Sequence, residues 1–397
     1  MKKILLYNTR IWHPAIWHNM RSLEKAFRRQ GVKVLLIDMD DKLALNKGFF
    51  LLMNDKELSF SIGPNNLGIS YMQNDNEIFP YAELSLPHIS YTLDVPYNKY
   101  GAGFADPVKE SIVTMLDRDL SDLLPIMYPE KKMHTLFLPL AGTSALDRDK
   151  VFEQDRIYDV VYSASVWNNG DLYPHWREEI LNKFILKILD DVVDLLKESP
   201  ISTYCAFKKV LFERGMLSSE YIKQFLPYFA ILQEYIKTYR RVHALRMLTE
   251  LNVNIEVIGD GWENVPFARK LHLHGAVPYE KTLEMFSKAK VVYQDNADFG
   301  NGGHDRVFTA MLNGAVVVSE YSKYLAEEFV EGKEIFLFDW KNTSQQIKVV
   351  ENLIHDEYMR LSVALLAFEK ADKYHRWDNR AQSLIEVVAV LYGDRLS

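Results

Sequence analysis

KKILLYNTRIWHPAIWHNMRSLEKAFRRQGVKVLLI, residues 2–37, places two short apolar segments on either side of an amphipathic one. Residues 2–7 and 32–37 are largely apolar runs of strand length, and Gly31 ends the segment between them. That segment carries apolar side chains at helical spacing: Ile16, Met20, Leu23 and Phe27. A strand, a helix and a second strand joined by short connections form a βαβ unit with parallel strands. The stretch therefore predicts an α/β fold whose sheet is covered on both faces.

The composition is that of an ordinary folded protein with room for two domains. The chain has 397 residues, of which 48% are hydrophobic and 25% are charged, a balance that argues against disorder. The formal net charge of -7 argues against nucleic acid as the main partner. Cys205 is the only cysteine, which excludes intrachain disulfides and cysteine-rich zinc sites and favours a reducing compartment.

No part of the sequence has the pattern of an export signal or of a membrane span. The apolar run at the N-terminus is too short for a secretory signal and is not followed by a small-residue cleavage site. No apolar run reaches the roughly 18 residues that a membrane span needs. We therefore expect a cytoplasmic protein, and peripheral membrane contact stays open.

The alternation of strands and helices recurs in two blocks. Residues 1–150 form the first predicted domain, in which 41–86 is less regular and has room for extra short strands. A polar stretch, 143–155, places the boundary to the second predicted domain, 151–375. Further strands are predicted at 88–93, 111–116, 134–138, 156–165, 253–258, 271–274, 291–293, 315–319 and 335–338.

Two segments depart from this alternation. Residues 173–251 contain no convincing strand and are interpreted as a helical insertion in the second domain, broken near Pro200 and Gly215. The last residues, 376–397, form a helix that we expect to pack back on the first domain. The whole pattern predicts two Rossmann-like domains facing a cleft. Because ligands of open α/β sheets bind beyond the carboxyl ends of the strands, candidate site residues are sought there.

A polar loop with three glycines, residues 294–303, precedes a helix that opens near His304. Unpaired N–H groups at a helix N-terminus attract anions, and glycines let a phosphate approach the backbone. Arg306 in the first turn opposes the helix dipole unless an anion binds, and its guanidinium can hold a phosphate in a bidentate contact. The alternative is a plain loop in which Asp305 caps the helix and Arg306 is solvated. The residues alone leave both interpretations open.

A second glycine turn, VIGDGW at residues 257–262, also follows a predicted strand. Gly259 and Gly261 would let a nucleotide lie over the backbone, and an ordinary turn between a strand and a helix is the alternative. The loop 163–169, after the first strand of the second domain, is a third place where a ligand could bind.

A general base for an acceptor hydroxyl is sought in the first domain. His13 and His18 flank the loop after the first strand, and histidine titrates near neutral pH without much tuning. His88 and Asp94 close a further strand, and Asp94 lies just ahead of a proline. For the histidines the alternative is packing or capping, and for Asp94 it is a turn acid.

Metal-dependent and nucleophilic chemistry have little support. Three Asp-x-Asp pairs, at 38–40, 117–119 and 147–149, could hold a divalent metal, but chance matches are expected among 54 acidic residues, and we predict no metal site. The sequence has no GxSxG and no GxxxxGK[ST], and GxGxxG is absent after the first strand, which argues against a dinucleotide oxidoreductase.

Several motifs together resemble a known family. They are GGHDRVFTAMLNGAVVVSEYSKYLAEEFVEGKEIFLFDW (302–340), YDVVYSAS (158–165), VIGDGW (257–262), KYHRWDNRA (373–381) and LFLPLAG (136–142). Over roughly residues 135–385 the chain resembles group 1 glycosyltransferases with the two-domain GT-B fold, and within them the bacterial spore-maturation, CgeB-like type. The helical insertion fits this family least.

The resemblance implies a nucleoside diphosphate sugar as donor, with a UDP-sugar expected first, bound mainly by the second domain. It also implies metal-independent transfer, because helix ends and basic side chains neutralise the leaving diphosphate in this fold. The positions that match the family's donor side are Gly259 and Gly261 in the glycine turn, Gly302, Gly303 and His304 in the phosphate-facing loop, and Arg306.

One departure from the family concerns the donor ribose. Many group 1 enzymes have a glutamate just before the alanine of this helix, and here the position is Thr309. A hydroxyl can bond a ribose but lacks the strength of a charge-assisted hydrogen bond. The earlier glutamate of the family's two-glutamate motif is also missing, and Asp305 is the residue that could substitute for it in part.

The sequence thus predicts a glycosyltransferase with a glycan, a protein or a small molecule as acceptor and with no cofactor besides the donor. Arg306 is expected to stabilise the leaving diphosphate, and His13, ahead of Asp94, to assist the acceptor hydroxyl. Thr309 motivates a second hypothesis, a catalytically silent protein that binds sugar nucleotides or serves as a scaffold. A third hypothesis, a sugar-nucleotide epimerase of the same fold, needs an acidic cluster that the sequence does not clearly supply.

Overall fold

The computed structural model describes residues 2–12, 14–73, 76–98, 104–296, 298–341 and 343–393, and for residues 343 and 344 it describes the backbone alone. The chain divides into two compact units. The first unit comprises Met1–Ala141 together with His375–Ser397, and the second comprises Gly142–Tyr374.

The first unit is built on a parallel sheet of six strands. Up to residue 141 its elements are β1 (Lys3–Asn8), α1 (Pro14–Arg29), β2 (Lys33–Asp38), α2 (Lys42–Asn54), β3 (Leu58–Pro64), β4 (Tyr71–Gln73), β5 (Asn76–Ile78), β6 (His88–Tyr91), β7 (Ser111–Met115), α3 (Leu123–Met127) and β8 (Met133–Phe137). The strand order is β2-β1-β3-β6-β7-β8, with every neighbouring pair parallel, while β4 and β5 form a separate antiparallel pair.

The opening stretch of the sequence folds as predicted. Strands β1 and β2 pair in parallel with Lys3 opposite Lys33, and α1 connects them. The apolar face of α1 is buried through Met20, Leu23 and Phe27, and the Phe27 ring lies 6.0 Å from that of Phe60 on β3. Burial of this face is the main force that holds α1 on the sheet.

The second unit repeats the architecture with a different set of helices. Its elements are β9 (Tyr158–Ser163), α4 (Trp176–Glu179), α5 (Lys183–Glu198), α6 (Thr203–Glu213), α7 (Ser219–Leu248), β10 (Ile255–Ile258), β11 (His272–Gly275), α8 (Tyr279–Ser287), β12 (Ala289–Gln294), α9 (Asp305–Leu312), β13 (Val316–Glu320), α10 (Lys323–Glu328), β14 (Phe336–Phe338), α11 (Thr343–His355) and α12 (Glu357–Tyr374). The sheet has the order β11-β10-β9-β12-β13-β14, again parallel throughout. Two parallel Rossmann-like sheets confirm the predicted fold class.

The helical insertion consists of α4 to α7, as the absence of strand patterns between 173 and 251 predicted. Three of its helices begin at side chains that accept backbone N–H groups: Asn182 before α5, Ser202 before α6 and Ser218 before α7. The breaks fall where the sequence has Pro200 and Gly215. The insertion therefore follows from local capping and turn chemistry, and α7 packs on α5 and α6.

The chain ends on α13 (Trp377–Tyr392), which belongs to the first unit and packs against α1. Arg29 donates two hydrogen bonds of 2.7 Å to the carboxylate of Asp378. Arg380 donates through Nε to the carbonyl of Pro139 at 2.7 Å, which fixes the helix to the segment that follows β8.

Within the described part of the chain, no helix is both long enough and apolar enough to cross a lipid bilayer.

Candidate functional site

The strand order of the second unit contains one reversal of direction. The chain runs from β9 outward to β10 and β11 on one side, and then returns to β12 on the other side of β9. A ligand crevice of an open α/β sheet lies beyond the carboxyl ends of the strands at such a switch point. The residues that follow β9 and β12 at this edge, Ala164 and Asp295, therefore mark where a binding site is expected.

Asp295 is a buried carboxylate at the switch point. Its side chain is only 1% exposed, and its oxygens accept a hydrogen bond from the Tyr162 hydroxyl at 2.7 Å and one from Arg241 Nε at 3.3 Å. Arg306 Nη2 lies 3.8 Å from its Oδ1. Burial alone would raise the pKa of Asp295, but the charges of Arg241 and Arg306 outweigh it and hold that pKa well below its usual range. Asp295 is therefore an anion that two guanidinium groups share.

Arg306 lies in the first turn of α9, and its side chain is 11% exposed. Its guanidinium donates to the carbonyl of Ser163 and, through Nη2, to the carbonyl of Asp295 at 3.1 Å. The protein thus supplies its own anion, Asp295, to offset the unfavourable position of an arginine at a helix N-terminus. Asp295 thus holds the two guanidinium groups together at this edge of the sheet.

The N-terminus of α9 is capped by His304, whose Nδ1 accepts the Arg306 N–H at 3.4 Å, and Asp305 is the first residue of the helix. The Nδ1 of His304 lies 2.5 Å from Asp305 Oδ1, and the side chain of His304 is 30% exposed. Burial and the charge of Arg306 lower the pKa of His304, although Asp305 acts in the opposite direction. Arg306 is the permanent cation of this turn.

Gly302 and Gly303 lie in the glycine loop, which we define as residues 298–303, and both are buried. The carbonyl of Gly302 accepts hydrogen bonds from Asn296 Nδ2 at 3.1 Å and from Ser322 Oγ at 2.5 Å. A Cβ at position 303 would come within 3.3 to 3.4 Å of neighbouring side chains. Close packing therefore accounts for part of the glycine requirement independently of any ligand.

Gly259 and Gly261 pack directly on the residues that follow β9. Both have positive φ angles, +129° and +88°, and a Cβ at either would collide with the backbone of Ala164 or Val166. The Val166 N–H donates to the carbonyl of Asp260 at 2.9 Å. This turn and Arg306 therefore flank the same short segment, residues 163–166, at the carboxyl end of β9.

Thr309 lies one turn further along α9 and is buried, with 3% exposure. Its Oγ1 accepts the Thr143 N–H at 3.3 Å, and the hydroxyl of Tyr279 lies next to both threonines. The hydroxyl of Thr309 is thus engaged with the first residues of the second unit.

The candidate site residues of the first unit lie on different elements of that unit. His13 lies outside the described residues. Asp94 follows β6 and is half-buried. The prediction that His88 closes a strand is wrong, because His88 opens β6 and is buried in the core, where its Nδ1 lies 2.9 Å from Ser61 Oγ. Burial lowers the pKa of His88 to about 3, so the ring is neutral and cannot serve as an accessible base. His18 lies on α1.

The acidic pairs have partners within the protein. Asp40 accepts from the Thr9 hydroxyl at 2.9 Å, Asp38 pairs with Arg10 at 3.0 Å, and Asp117 caps a short helical turn by accepting the Asp119 N–H. Across the described ranges, no three His, Cys, Asp or Glu side chains are grouped so that they could hold a metal ion.

Sequence reasoning missed three residues of the switch point: Tyr162, Arg241 and Asp295. Asp295 stands directly after a predicted strand, and that position could have identified it. Arg241 lies in the insertion, where it also donates to the Ser165 carbonyl at 2.6 Å. The only sequence sign of its role is an Arg-Arg pair inside an otherwise apolar helical pattern.

Comparisons with known proteins agree with this architecture. A family model described as glycosyl transferase-like matches residues 240–386, a segment that contains Arg241, Asp295 and Arg306. No curated protein matches the chain.

Several solved structures share the fold at low sequence identity. Sucrose-phosphate synthase from Thermosynechococcus elongatus is 9% identical with a TM-score of 0.53, covering 99% of this chain and 100% of that one. HepE from Anabaena in complex with UDP is 11% identical with a TM-score of 0.52, covering 98% and 100%. The DNA-modifying enzyme β-glucosyltransferase, solved with and without uridine diphosphoglucose, is 10% identical with a TM-score of 0.54, covering 98% and 100%. The chain therefore has the GT-B fold, and its residues 240–386 are similar to a glycosyl transferase-like family.

Proposed function

We propose that the chain is a glycosyltransferase of the CgeB-like type that moves a sugar from a nucleoside diphosphate sugar to an acceptor hydroxyl without a metal ion. The observation that carries the proposal is the convergence of Arg241 and Arg306 on Asp295 beside the N-terminus of α9. Breaking a bond between a sugar and a diphosphate leaves negative charge on the diphosphate. Fixed cations and helix N–H groups at that place stabilise the charge as it develops.

On the donor side, Arg306 and the turn 302–306 bind the diphosphate, and the Gly259–Gly261 turn supports the nucleotide. Asp295 holds the two guanidinium groups in place before a ligand arrives, which lowers the ordering cost of binding. Thr309 stays in the proposal as a donor-side residue because of its place on α9, one turn after Arg306, although its hydroxyl accepts the Thr143 N–H. UDP is the first nucleotide to test, because HepE was solved with UDP and β-glucosyltransferase with uridine diphosphoglucose.

The acceptor is a glycan, a protein or a small molecule. His13 and Asp94 are the proposed groups that assist its hydroxyl, and a general base must take the proton as the new glycosidic bond forms. Asp94→Asn then lowers turnover while nucleotide affinity stays at the wild-type value.

The test of the function is a thermal-shift screen against nucleoside diphosphates, followed by transfer and hydrolysis assays with the matching sugar nucleotides. A ligand that binds the folded state raises the unfolding temperature by mass action, so the screen identifies the base. We expect the UDP sample to show the largest shift and its sugar nucleotides to be turned over. A protein that responds to no nucleoside diphosphate contradicts the proposal.

A second function is favoured by Thr309, which stands where many group 1 enzymes have a glutamate. In that case the chain binds sugar nucleotides but transfers nothing. Tight UDP-sugar binding, with neither hydrolysis nor transfer across a panel of plausible acceptors, would favour this alternative.

A further inference from the structure

The helical insertion contacts the glycine loop through one buried carboxylate. Asp298 is buried within the loop, and its Oδ1 accepts both the Thr203 N–H at 2.7 Å and the Thr203 hydroxyl at 3.0 Å. Thr203 is the first residue of α6, so a helix N–H group that has no partner inside its own helix is satisfied by the loop.

The two backbones also approach each other closely at this point. A Cβ on Gly300 would lie 2.8 Å from Ile201 Cα and 3.0 Å from the backbone nitrogen of Ser202. Glycine at position 300 therefore allows the loop to lie against the turn before α6. The conformation of the loop depends on a segment of the insertion that is about 100 residues distant in sequence.

A second connection runs from α7 through two buried charged groups. The side chain of Arg240 is 2% exposed and donates to the carbonyls of Leu196 and Ser199 at 2.8 and 2.7 Å, which fixes the turn between α5 and α6. Its Nη1 lies 3.2 Å from Glu320 Oε1 at the end of β13. The other oxygen of Glu320 accepts the Asn296 N–H at 3.1 Å.

Asn296 carries this connection into the proposed donor site. Its Nδ2 donates to the carbonyls of Phe299 and Gly302 at 2.6 and 3.1 Å, and its Oδ1 accepts the His304 N–H at 3.2 Å. Asn296 thus closes the glycine loop on itself and ties it to the residue that caps α9. Arg240 and His304 are linked by an unbroken series of buried polar contacts.

We propose that the helical insertion acts as a positioning element for the donor site, with Thr203 and Arg240 as its positioning residues and a nucleoside diphosphate as the ligand whose affinity they set. This inference rests on the proposed function. The insertion holds the glycine loop at two points: Thr203 bonds Asp298 directly, and Arg240 acts through Glu320 on Asn296, which bonds the loop. The α9 N-terminus is therefore formed before the diphosphate binds. In this proposal neither Thr203 nor Arg240 touches the ligand, and both act on it through the glycine loop.

The experiment compares Thr203→Val with Thr203→Ser and with the wild type. Valine keeps the shape and the backbone N–H but removes the hydroxyl that donates to Asp298, whereas serine retains it. Thr249→Val is the matched control, because the Thr249 hydroxyl, at the C-terminal end of α7, donates to the Arg246 carbonyl of its own helix at 2.7 Å. Each full-length protein is titrated with UDP by calorimetry, and amide hydrogen exchange is followed in peptides covering residues 295–306.

We expect Thr203→Val to bind UDP about tenfold more weakly, as the loss of one hydrogen bond to a buried charged group predicts. Exchange in residues 295–306 should be faster in Thr203→Val, while Thr203→Ser and Thr249→Val behave like the wild type in both measurements. A lower unfolding temperature in Thr203→Val and Thr249→Val alike, with unchanged UDP affinity, would show a purely structural role and overturn the inference. If the wild type binds UDP and Thr203→Val binds it equally well, this inference fails and the proposed function stands. If the wild type binds no nucleoside diphosphate, the proposed function fails and this inference fails with it.

Discussion

Asp295 and Arg241 form a buried ion pair across 54 positions of sequence, with Arg241 Nε 3.3 Å from Asp295 Oδ2. Asp295 directly follows β12, a central strand of the second sheet, and Arg241 comes from α7, the longest helix of the insertion. Their pairing leaves the Arg306 guanidinium beside the same carboxylate at the start of α9. The proposed diphosphate site depends on this arrangement of two cations around one anion.

Asp295→Asn should lower the free energy of unfolding near neutral pH by about 3 kcal/mol, because it leaves two buried guanidinium groups without their anion. Asp159→Asn is the matched control. Asp159 pairs with Lys290 at 2.7 Å, with 18% and 24% of the two side chains exposed, and it accepts the Asn254 N–H, which an asparagine can still accept; the loss of this partly solvated pair should cost about 1 kcal/mol. Urea denaturation of both variants at neutral pH measures the two decreases in the free energy of unfolding. Equal decreases would show that the ion pairs of Asp295 contribute no more to stability than the pair of Asp159 and Lys290.

The wild type and Asp295→Asn should also differ in how their free energy of unfolding depends on pH. The pKa of Asp295 is lower in the folded protein than in the unfolded chain, so its stabilisation is fully present above the unfolded pKa of about 4. That stabilisation is lost as the pH falls toward the folded pKa. The difference in unfolding free energy between the wild type and Asp295→Asn should therefore shrink steadily from about pH 5 downward. A difference that stays constant down to the acid transition would contradict the assigned ionisation.

His88 makes the first unit sensitive to mild acid. Its pKa is lowered to about 3 in the folded state, so below the unfolded value of about 6.5 only the unfolded chain gains a proton. As the pH is lowered from about 6.5 to 5, the free energy of unfolding should decrease by up to about 2 kcal/mol more in the wild type than in His88→Asn. Ser61→Ala is the control, because it removes the hydrogen bond to His88 but keeps the ring, so the pH slope should remain. Denaturation curves at a series of pH values give the slopes, and equal slopes for wild type and His88→Asn would be inconsistent with a neutral buried ring.

Gly259→Ala should destabilise the protein more than Gly332→Ala does. Both glycines have positive φ angles, which costs an alanine about 1 kcal/mol, but only at Gly259 does the new Cβ meet backbone atoms; at Gly332 nothing lies within 4 Å. If the turn supports the nucleotide, Gly259→Ala also weakens UDP binding and Gly332→Ala leaves it unchanged. Thermal unfolding and calorimetric titration separate the two effects. Equal unfolding temperatures for the two variants would show that the backbone gives way at little cost.

Local patterns in the sequence were enough to predict most of the framework. The parallel strands, the helical insertion and the start of α9 each depend on nearby residues: apolar runs, caps and glycines. Helix α2 was not predicted, because its sequence KLALNKGFFLLMN buries only Gly48 and Leu52 and has no clear apolar face. The predicted strand 88–93 begins at His88, as β6 does, and the error was to place this residue at the ligand-binding end of the strand; its burial follows from the pairing of β6 with β3 and β7.

The centre of the proposed site was only half predictable. Arg306, His304 and the glycines lie in one continuous segment, so their proximity could be read from the sequence. Arg241 and Tyr162 reach Asp295 only through the strand order and the packing of α7, and no spacing along the chain encodes that. The direction of the Thr309 side chain, toward Thr143, likewise depends on where the second unit begins.

The central claim is that Arg306 binds the diphosphate of the donor, and UDP titration of Arg306→Ala tests it most directly. Asp295 keeps Arg241 as a partner in this variant, so the fold should be retained, and Arg306→Lys shows how much of the effect is charge alone. The control is Arg148→Ala, which removes an exposed guanidinium that pairs with Asp372 at 2.6 Å within the same unit. We predict that Arg306→Ala binds UDP about 10- to 100-fold more weakly and loses turnover in parallel, whereas Arg148→Ala matches the wild type. Wild-type UDP affinity and wild-type turnover in folded Arg306→Ala would contradict the account.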